Sequence, residues 1–132
     1  MIIVDTSIIV DILQGNKRMG DFLAELKTEL SVSSVVLAEI LIGFYRHSKN
    51  VREKLKENFG KIIKDNNIKI ISFDENIADK YAELQAHLLK KGMVFSPFDG
   101  IIAATALFHG ITLLTSDEDF KRVKGLKLLF PS

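Results

Sequence analysis

The feature that most constrains the fold is the start of the chain, where Ile2, Ile3 and Val4 run directly into Asp5. A short stretch of β-prone apolar residues without polar alternation predicts a strand that is buried on both faces. Such a strand requires a sheet with helices packed on each side. In parallel sheets of this kind, ligands bind beyond the carboxyl ends of the strands. Asp5 is therefore predicted to lie at the ligand-binding edge of the sheet.

The rest of the chain alternates between strand and helix patterns. Further strands are predicted over 31–34, 68–72, 111–115 and 126–130, and helices over 7–14, 17–30, 35–45, 50–64, 74–90, 96–108 and 117–123. This alternation predicts an α/β fold in three layers (α/β/α), with a central parallel sheet of four to five strands and right-handed crossovers. Because no repeat or linker interrupts the pattern, residues 1–132 are predicted to form a single domain.

Composition excludes several classes of protein. Apolar residues make up 47% of the chain and charged residues 27%, as in ordinary globular proteins. No apolar stretch approaches the roughly 20 residues of a membrane helix, and the apolar start lacks the basic region of a signal peptide. The absence of cysteine fits a reducing compartment. We therefore expect a cytoplasmic protein with no membrane association.

Four acids are predicted to meet at one edge of the sheet. Asp5 and Asp117 each follow a strand, Glu39 lies about one turn beyond the second strand, and Asp99 begins a helix. At about 5 Å and an effective dielectric of about 20, each pair of carboxylates would repel by roughly 3 kcal/mol, so a cation is expected among them. Carboxylate ligands without cysteine favour Mg²⁺ or Mn²⁺. With four of the 17 acids assigned to this pocket, the 18 lysines and arginines leave a mildly basic body, which suits a polyanionic substrate.

Each acid also has a structural explanation. Asp5 and Asp117 can cap the helices that follow them. Ser96, Pro97 and Asp99 match a capping box, with serine at the N-cap, proline at N1 and the acid at N3. Glu39 is different, because its helical neighbours are apolar and an unpaired glutamate there is costly.

Taken together, four motifs resemble those of the PIN-domain ribonucleases, and more closely those of the VapC toxins of type II toxin–antitoxin systems. They occur in family order over essentially the whole chain: Asp5-Thr6-Ser7 after the first strand, Glu39 in an apolar helix, Asp99-Gly100-Ile101-Ile102-Ala103-Ala104, and Thr115-Ser116-Asp117-Glu118-Asp119-Phe120. The resemblance implies an α/β/α fold and a metal-dependent endoribonuclease. Its metal-binding acidic tetrad would be Asp5, Glu39, Asp99 and Asp117.

The resemblance also implies supporting residues and partners. Thr6 or Ser7 would support the first acid, Thr115 would support the last, and Asp119 would be an extra acid with variable metal contact. RNA would be the substrate, a small antitoxin protein would block the site, and the toxin would be a homodimer. From the sequence itself, Arg46 shares the helical face of Glu39 two turns on, where it would hold a phosphate beside the metal or remain a surface arginine.

The expected chemistry follows from the residues available. There is no cysteine nucleophile, and His47, His87 and His109 have no acid partner at a telling spacing. Water activated by one or two metal ions is therefore expected to attack phosphorus.

Two alternatives remain. One is a phosphoacceptor, receiver-like signalling domain, with Asp74 as the acceptor and Thr115 as the hydroxyl, although the expected acidic pair at the first strand and the lysine after the last are missing. The other is a non-catalytic RNA-binding PIN module.

Overall fold

The computed structural model of this chain, in which residues 1–131 are described, has a parallel sheet between two layers of helices. The five strands of the described residues are ordered β3-β2-β1-β4-β5. Every neighbouring pair is parallel. The strands are β1 (Ile2–Val4), β2 (Leu30–Ser33), β3 (Lys69–Ile71), β4 (Thr112–Leu114) and β5 (Leu128–Leu129). The predicted α/β/α fold with a parallel sheet of four to five strands is confirmed.

Six α-helices and one short 3₁₀-helix complete the described part of the chain. They are α1 (Thr6–Leu13), α2 (Lys17–Leu26), α3 (Ser34–Tyr45), α4 (Lys49–Asp65), α5 (Glu75–Lys90), α6 (Pro97–His109) and the 3₁₀-helix Glu118–Arg122. The hydrophobic core lies between these helices and the central strands, and Ile3 and Val4 of β1 are fully buried in it. Within residues 1–131, no helix is long and apolar enough to cross a membrane.

The predicted helix over 17–30 is too long. α2 ends at Leu26 because Lys27 adopts a left-handed backbone conformation, with φ 49°. Leu30, which continues the helical stripe in the sequence, is instead the first residue of β2 and pairs with Ile2 of β1. The stripe extends across the boundary because a helix and the strand after it both direct leucines into the same core. The last strand is also shorter than predicted, because only Leu128 and Leu129 pair with β4.

The strand order explains why one edge of the sheet matters. β1 lies at its centre, between β2 and β4. The chain extends the sheet in one direction through β2 and β3, then returns to add β4 and β5 on the other side. The carboxyl end of β1 is therefore the point where the winding reverses, and a crevice for ligands forms at such a point. Val4 and Leu114 are register partners, so Asp5 and Thr115 leave the sheet side by side.

Helices α5 and α6 approach closely at Gly100. A Cβ atom added to Gly100 would lie 2.7 Å from Cε1 of the Tyr81 ring, which is closer than two carbon atoms can approach. The absence of a side chain at this position therefore lets α6 lie directly against α5, one residue after Asp99.

We predict opposite effects for two glycine-to-alanine substitutions in helices. Alanine normally stabilises a helix interior by about 1 kcal/mol relative to glycine. Gly60→Ala on α4 should show roughly this gain, because nothing lies within 4 Å of its Cβ position. Gly100→Ala should instead lower the free energy of unfolding by about 1 kcal/mol, because overpacking costs about 1–3 kcal/mol. Urea unfolding of both variants checks this. Equal stabilisation by the two would show that the Tyr81 ring moves aside freely.

Candidate active site

Asp5 is the most firmly held acid at the carboxyl edge of the sheet. Its side chain is 95% buried, with a relative exposure of 5%. Its Oδ1 atom accepts a hydrogen bond of 2.7 Å from the backbone N–H of Thr6, so Asp5 is the N-cap of α1, as its capping explanation predicted. Its Oδ2 atom accepts bonds from the hydroxyls of Thr115 (2.7 Å) and Ser7 (3.3 Å). The capping role therefore holds the Asp5 carboxylate in place at the carboxyl edge of the sheet and does not exclude a role in the acid cluster.

Thr115 connects the first acid to the last. Its fully buried hydroxyl donates to Asp5 and accepts a bond of 3.0 Å from the backbone N–H of Asp117. Asp117 caps the 3₁₀-helix, and its Oδ1 accepts from the backbone N–H of Asp119 at 2.9 Å. Thr115 therefore lies beside both acids, and its side chain bonds the carboxylate of Asp5 and only the backbone of Asp117.

Thr6 connects the first motif to α3. Its Oγ1 donates a hydrogen bond of 2.7 Å to Oε1 of Glu39, 33 residues away in the sequence. This bond places the Glu39 carboxylate at the mouth of the crevice and compensates for its apolar helical neighbours. Sequence reasoning did not assign this partner to Thr6. Adjacent hydroxyls at positions 6 and 7 do not show which carboxylate each will meet, because that depends on how α3 packs against α1.

Asp99 has no such support. No hydrogen bond or ion pair to its carboxylate is present among residues 1–131. The predicted capping box is wrong, because the Ser96 side chain makes no capping bond, although Ser96 is the N-cap and Pro97 begins the helix. An aspartate at N3 is also shorter than the glutamate or glutamine that reaches back in a capping box. Helix-start hydrogen bonding therefore does not explain Asp99.

The electrostatics show that the acids have been brought together. The pKa of Asp99 is raised to about 6, first by burial and then by the negative charges of Asp5, Asp117, Glu39 and Asp119, in that order. No lysine or arginine forms a salt bridge with any of the four predicted tetrad acids within residues 1–131. The four tetrad acids are therefore a cluster of like charges that no lysine or arginine of the described residues neutralises by a salt bridge.

The remaining candidates lie further out. Asp119 is exposed, and its Oδ2 lies 3.9 Å from Nη2 of Arg122. Arg46 is exposed at the C-cap of α3, about 10 Å along the helix axis from Glu39 at 1.5 Å per residue. Asp74 caps α5 by accepting from the N–H of Ile77, and it is not among the acids that raise the pKa of Asp99. The structure thus gives the phosphoacceptor alternative no support.

Comparison with known proteins agrees with this geometry. The PIN domain family model matches residues 2–126. The chain is 34% identical to Ribonuclease VapC1 of Rickettsia felis, over 97% of this chain and 94% of that protein. It is 32% identical to Toxin FitB of Neisseria gonorrhoeae, over 89% and 88% respectively. Among solved structures, it is similar to the VapBC2 complex of Rickettsia felis bound to a DNA fragment from its promoter, with a TM-score of 0.89, 27% identity and complete coverage of both chains.

We predict that Asp99→Asn stabilises the protein in chelator, in a pH-dependent way. The folded pKa of about 6 exceeds the ordinary 3.8, so the folded state holds the proton longer than the unfolded chain. The free energy of unfolding of the wild type should therefore decrease, through Asp99, as pH rises from about 4 to 6, and this decrease should be complete above that range. Allowing for screening of this half-buried group, the variant should gain about 1–2 kcal/mol at pH 7.5 and nothing at pH 4.

Urea unfolding of the wild type and Asp99→Asn at both pH values measures this difference. Asp79→Asn is the matched control, because Asp79 is an exposed acid on α5 that forms no salt bridge within the described residues. A gain for Asp99→Asn that is the same at pH 4 and pH 7.5 would contradict the charge-cluster explanation.

Proposed function

The chain belongs to the PIN domain family, and from that premise we propose that it is an endoribonuclease acting as the toxin of a toxin–antitoxin pair. The observation that carries the proposal is the cluster of acids at the carboxyl edge of the sheet, where Asp5 and Glu39 are held by hydroxyl donors and where neighbouring negative charges, after burial, raise the pKa of Asp99. Relatives of near-full-length similarity are named as VapC ribonucleases and as the toxin FitB. A cleavage site made of carboxylates is consistent with those names.

We propose that Mg²⁺ or Mn²⁺ is held by Asp5, Glu39, Asp99 and Asp117, with Asp119 as an outer acid. The donor set fits such an ion, because hard divalent cations prefer oxygen ligands and no salt bridge from the described residues neutralises the four tetrad acids. Among residues 1–131, no three acidic or histidine side chains already enclose a metal-sized space, so binding would require side-chain rotation. No hydrogen bond from the described residues to the Asp99 carboxylate would have to break for such a rotation. When bound, the ion would activate water and stabilise the charge that develops on phosphate oxygens.

The chain's own residues would supply orientation. Thr115 and the Thr6 backbone fix both oxygens of Asp5, and the Thr6 hydroxyl fixes one oxygen of Glu39, whose second oxygen remains available. Hydroxyl donors hold the carboxylates without adding a positive charge that would compete with a metal ion. The two carboxylates would therefore meet an incoming ion at nearly their final positions, which lowers the entropic cost of assembling the site.

Association with other proteins is also proposed. Large apolar side chains are exposed on α3 and α6, including Ile42 (56%), Tyr45 (58%) and Phe108 (45%). These surfaces would support a homodimer and contact with a small antitoxin. The solved relatives include VapBC2 of Rickettsia felis and FitAB, each in a structure with a bound DNA fragment.

We predict that the purified protein cleaves RNA in Mg²⁺ or Mn²⁺ and loses this activity in chelator. Asp99→Asn should be inactive although it is at least as stable as the wild type, because it removes a metal ligand and no hydrogen bond. Asp79→Asn should keep full activity. Added Mg²⁺ should also raise the melting temperature of the wild type more than that of Asp99→Asn, since binding to the native state stabilises it. Activity that persists after exhaustive chelation would overturn the metal assignment. RNA binding by the wild type without cleavage would favour the non-catalytic module.

We predict that expression of the wild type alone arrests bacterial growth, whereas Asp99→Asn is harmless at the same protein level. The reason is that growth arrest requires cleavage, and cleavage requires the cluster. Growth curves with matched immunoblots measure this, and sedimentation velocity at micromolar concentration tests the accompanying homodimer. Equal arrest by both proteins would remove the toxin assignment while leaving the ribonuclease assignment to the cleavage assay.

A further inference from the structure

A second charged feature lies beside the acid cluster and has the opposite sign. A cleft of about 330 Å³ opens between the C-terminal half of α5, α6 and the segment that follows the 3₁₀-helix. Its floor is formed by leucines of α5 and α6. The charged residues around it are Lys80, Lys91, Arg122 and Lys124, together with a single acid, Glu83. A chain with a net charge of only +1 therefore concentrates four permanent cations and one acid at this position.

Two of these cations are available for a ligand. The acid is already engaged, because Glu83 pairs with Lys80 at 3.0 Å. Arg122 is partly engaged, since it donates to the carbonyl of Val94 at 3.2 Å and to that of Asp119 at 3.3 Å. Lys91 and Lys124 are exposed, and their ammonium groups form no hydrogen bond or salt bridge with any of residues 1–131. Like charges gathered without an acid to neutralise them favour an anionic ligand.

Arg122 links the cleft to the acid cluster. Arg122 lines the cleft and also lies 3.9 Å from the carboxylate of Asp119, which contributes to the raised pKa of Asp99. Arg122 is the last residue of the 3₁₀-helix, and at about 2 Å per residue it lies about 10 Å along the helix from Asp117. A strand of nucleic acid that passes over the cluster would reach the cleft through its neighbouring phosphates.

The acid cluster itself would benefit from such a site. Carboxylates repel phosphates, so cations beside the cluster would add to the attraction that a bound metal ion supplies and would be the main attraction when no metal is present. We propose that the cleft around Lys91 and Lys124 binds backbone phosphates of single-stranded RNA and so holds the strand across the acid cluster. This inference rests on the proposed ribonuclease function and adds to it the place where the substrate is held.

The test measures binding separately from cleavage. A fluorescently labelled single-stranded RNA of about 12 nucleotides, within the usual range of site sizes, is titrated with protein in chelator at several salt concentrations. All variants carry Asp99→Asn so that the RNA stays intact. The cleft pair Lys91→Ala/Lys124→Ala is compared with the control pair Lys54→Ala/Lys61→Ala, which removes the same charge from exposed, unbonded positions on α4.

The expected effects follow from counterion release. For single strands, the logarithm of the affinity falls with the logarithm of salt by about 0.7 per phosphate contact. Removing two contacts should lower this slope by about 1.4, which corresponds to roughly 20-fold weaker binding at 0.1 M salt. The control pair should change affinity no more than about twofold and leave the slope unchanged. Lys91→Arg/Lys124→Arg, which conserves both charges, should bind like the parent.

Glu83→Gln provides the opposite change. It frees Lys80 and removes the one acid of the cleft, so it should add one phosphate contact and tighten RNA binding about fivefold at 0.1 M salt. A gain of affinity is not what general damage to the fold would produce. Inorganic phosphate, added to the complex at matched ionic strength, should displace the RNA no better than chloride does. Much stronger displacement by phosphate would indicate a site for the free ion and would overturn the assignment to RNA.

The outcomes separate the two proposals. If the wild type cleaves RNA but both lysine pairs weaken binding alike, or neither does, the cleft assignment fails and the ribonuclease assignment stands. If the wild type neither binds nor cleaves RNA, both assignments fail. A lower salt slope for the cleft pair alone, together with tighter binding by Glu83→Gln, supports the cleft as the substrate-binding surface.

Discussion

The hydrogen bond from Thr115 to Asp5 joins the first and last acidic motifs of the chain within the cluster of carboxylates. It is a buried hydroxyl-to-carboxylate bond of 2.7 Å between residues 110 positions apart. Hydrogen bonds to charged groups contribute about 1.5–3 kcal/mol, which is comparable to the repulsion of a neighbouring carboxylate. Because β1 and β4 are neighbours in the sheet and Val4 is the register partner of Leu114, their pairing brings Thr115 beside Asp5. The sheet therefore assembles its acids and, through the same pairing, supplies the donor that keeps Asp5 in place.

The order of the sheet makes this arrangement possible. A central β1 places the ends of β2 and β4 on either side of Asp5, and the chain leaves each end directly into a helix or turn. Ser33 caps α3 with a bond of 3.1 Å to the N–H of Val35, which sets the start of the helix that carries Glu39. Side-chain caps thus set the start of α1 at Asp5, of α3 at Ser33 and of the 3₁₀-helix at Asp117, and these elements begin at or carry three of the four acids.

The sequence was sufficient to predict the parallel sheet and the convergence of the acids, because both follow from local patterns. Buried strands show as apolar runs, and residues after parallel strands share an edge. It could not predict the partner of Thr6, because the bond to Glu39 depends on the packing of α1 against α3. It misassigned the end of α2, because Leu30 fits a helical stripe and a strand equally well. The basic cleft was missed because, like the bond from Thr6 to Glu39, it depends on tertiary packing. Lys91 and Lys124 are 33 residues apart, and they come together only where α5 packs beside the segment that includes the 3₁₀-helix.

The four acids are not equivalent in the way they are held, and this difference has a physical consequence. Asp5 accepts three hydrogen bonds and Glu39 accepts one from a side chain, whereas Asp99 accepts none within the described residues. Fixed carboxylates define where a cation can bind, and a free one can adjust to the ion's preferred geometry, which matters for an ion as demanding as Mg²⁺. Because Asp99 accepts no hydrogen bond from the described residues, nothing offsets its burial and the negative charges around it, and its pKa is raised. Gly100 places α6 close against α5, so the acid is carried by a rigid helix while its carboxylate remains unrestrained.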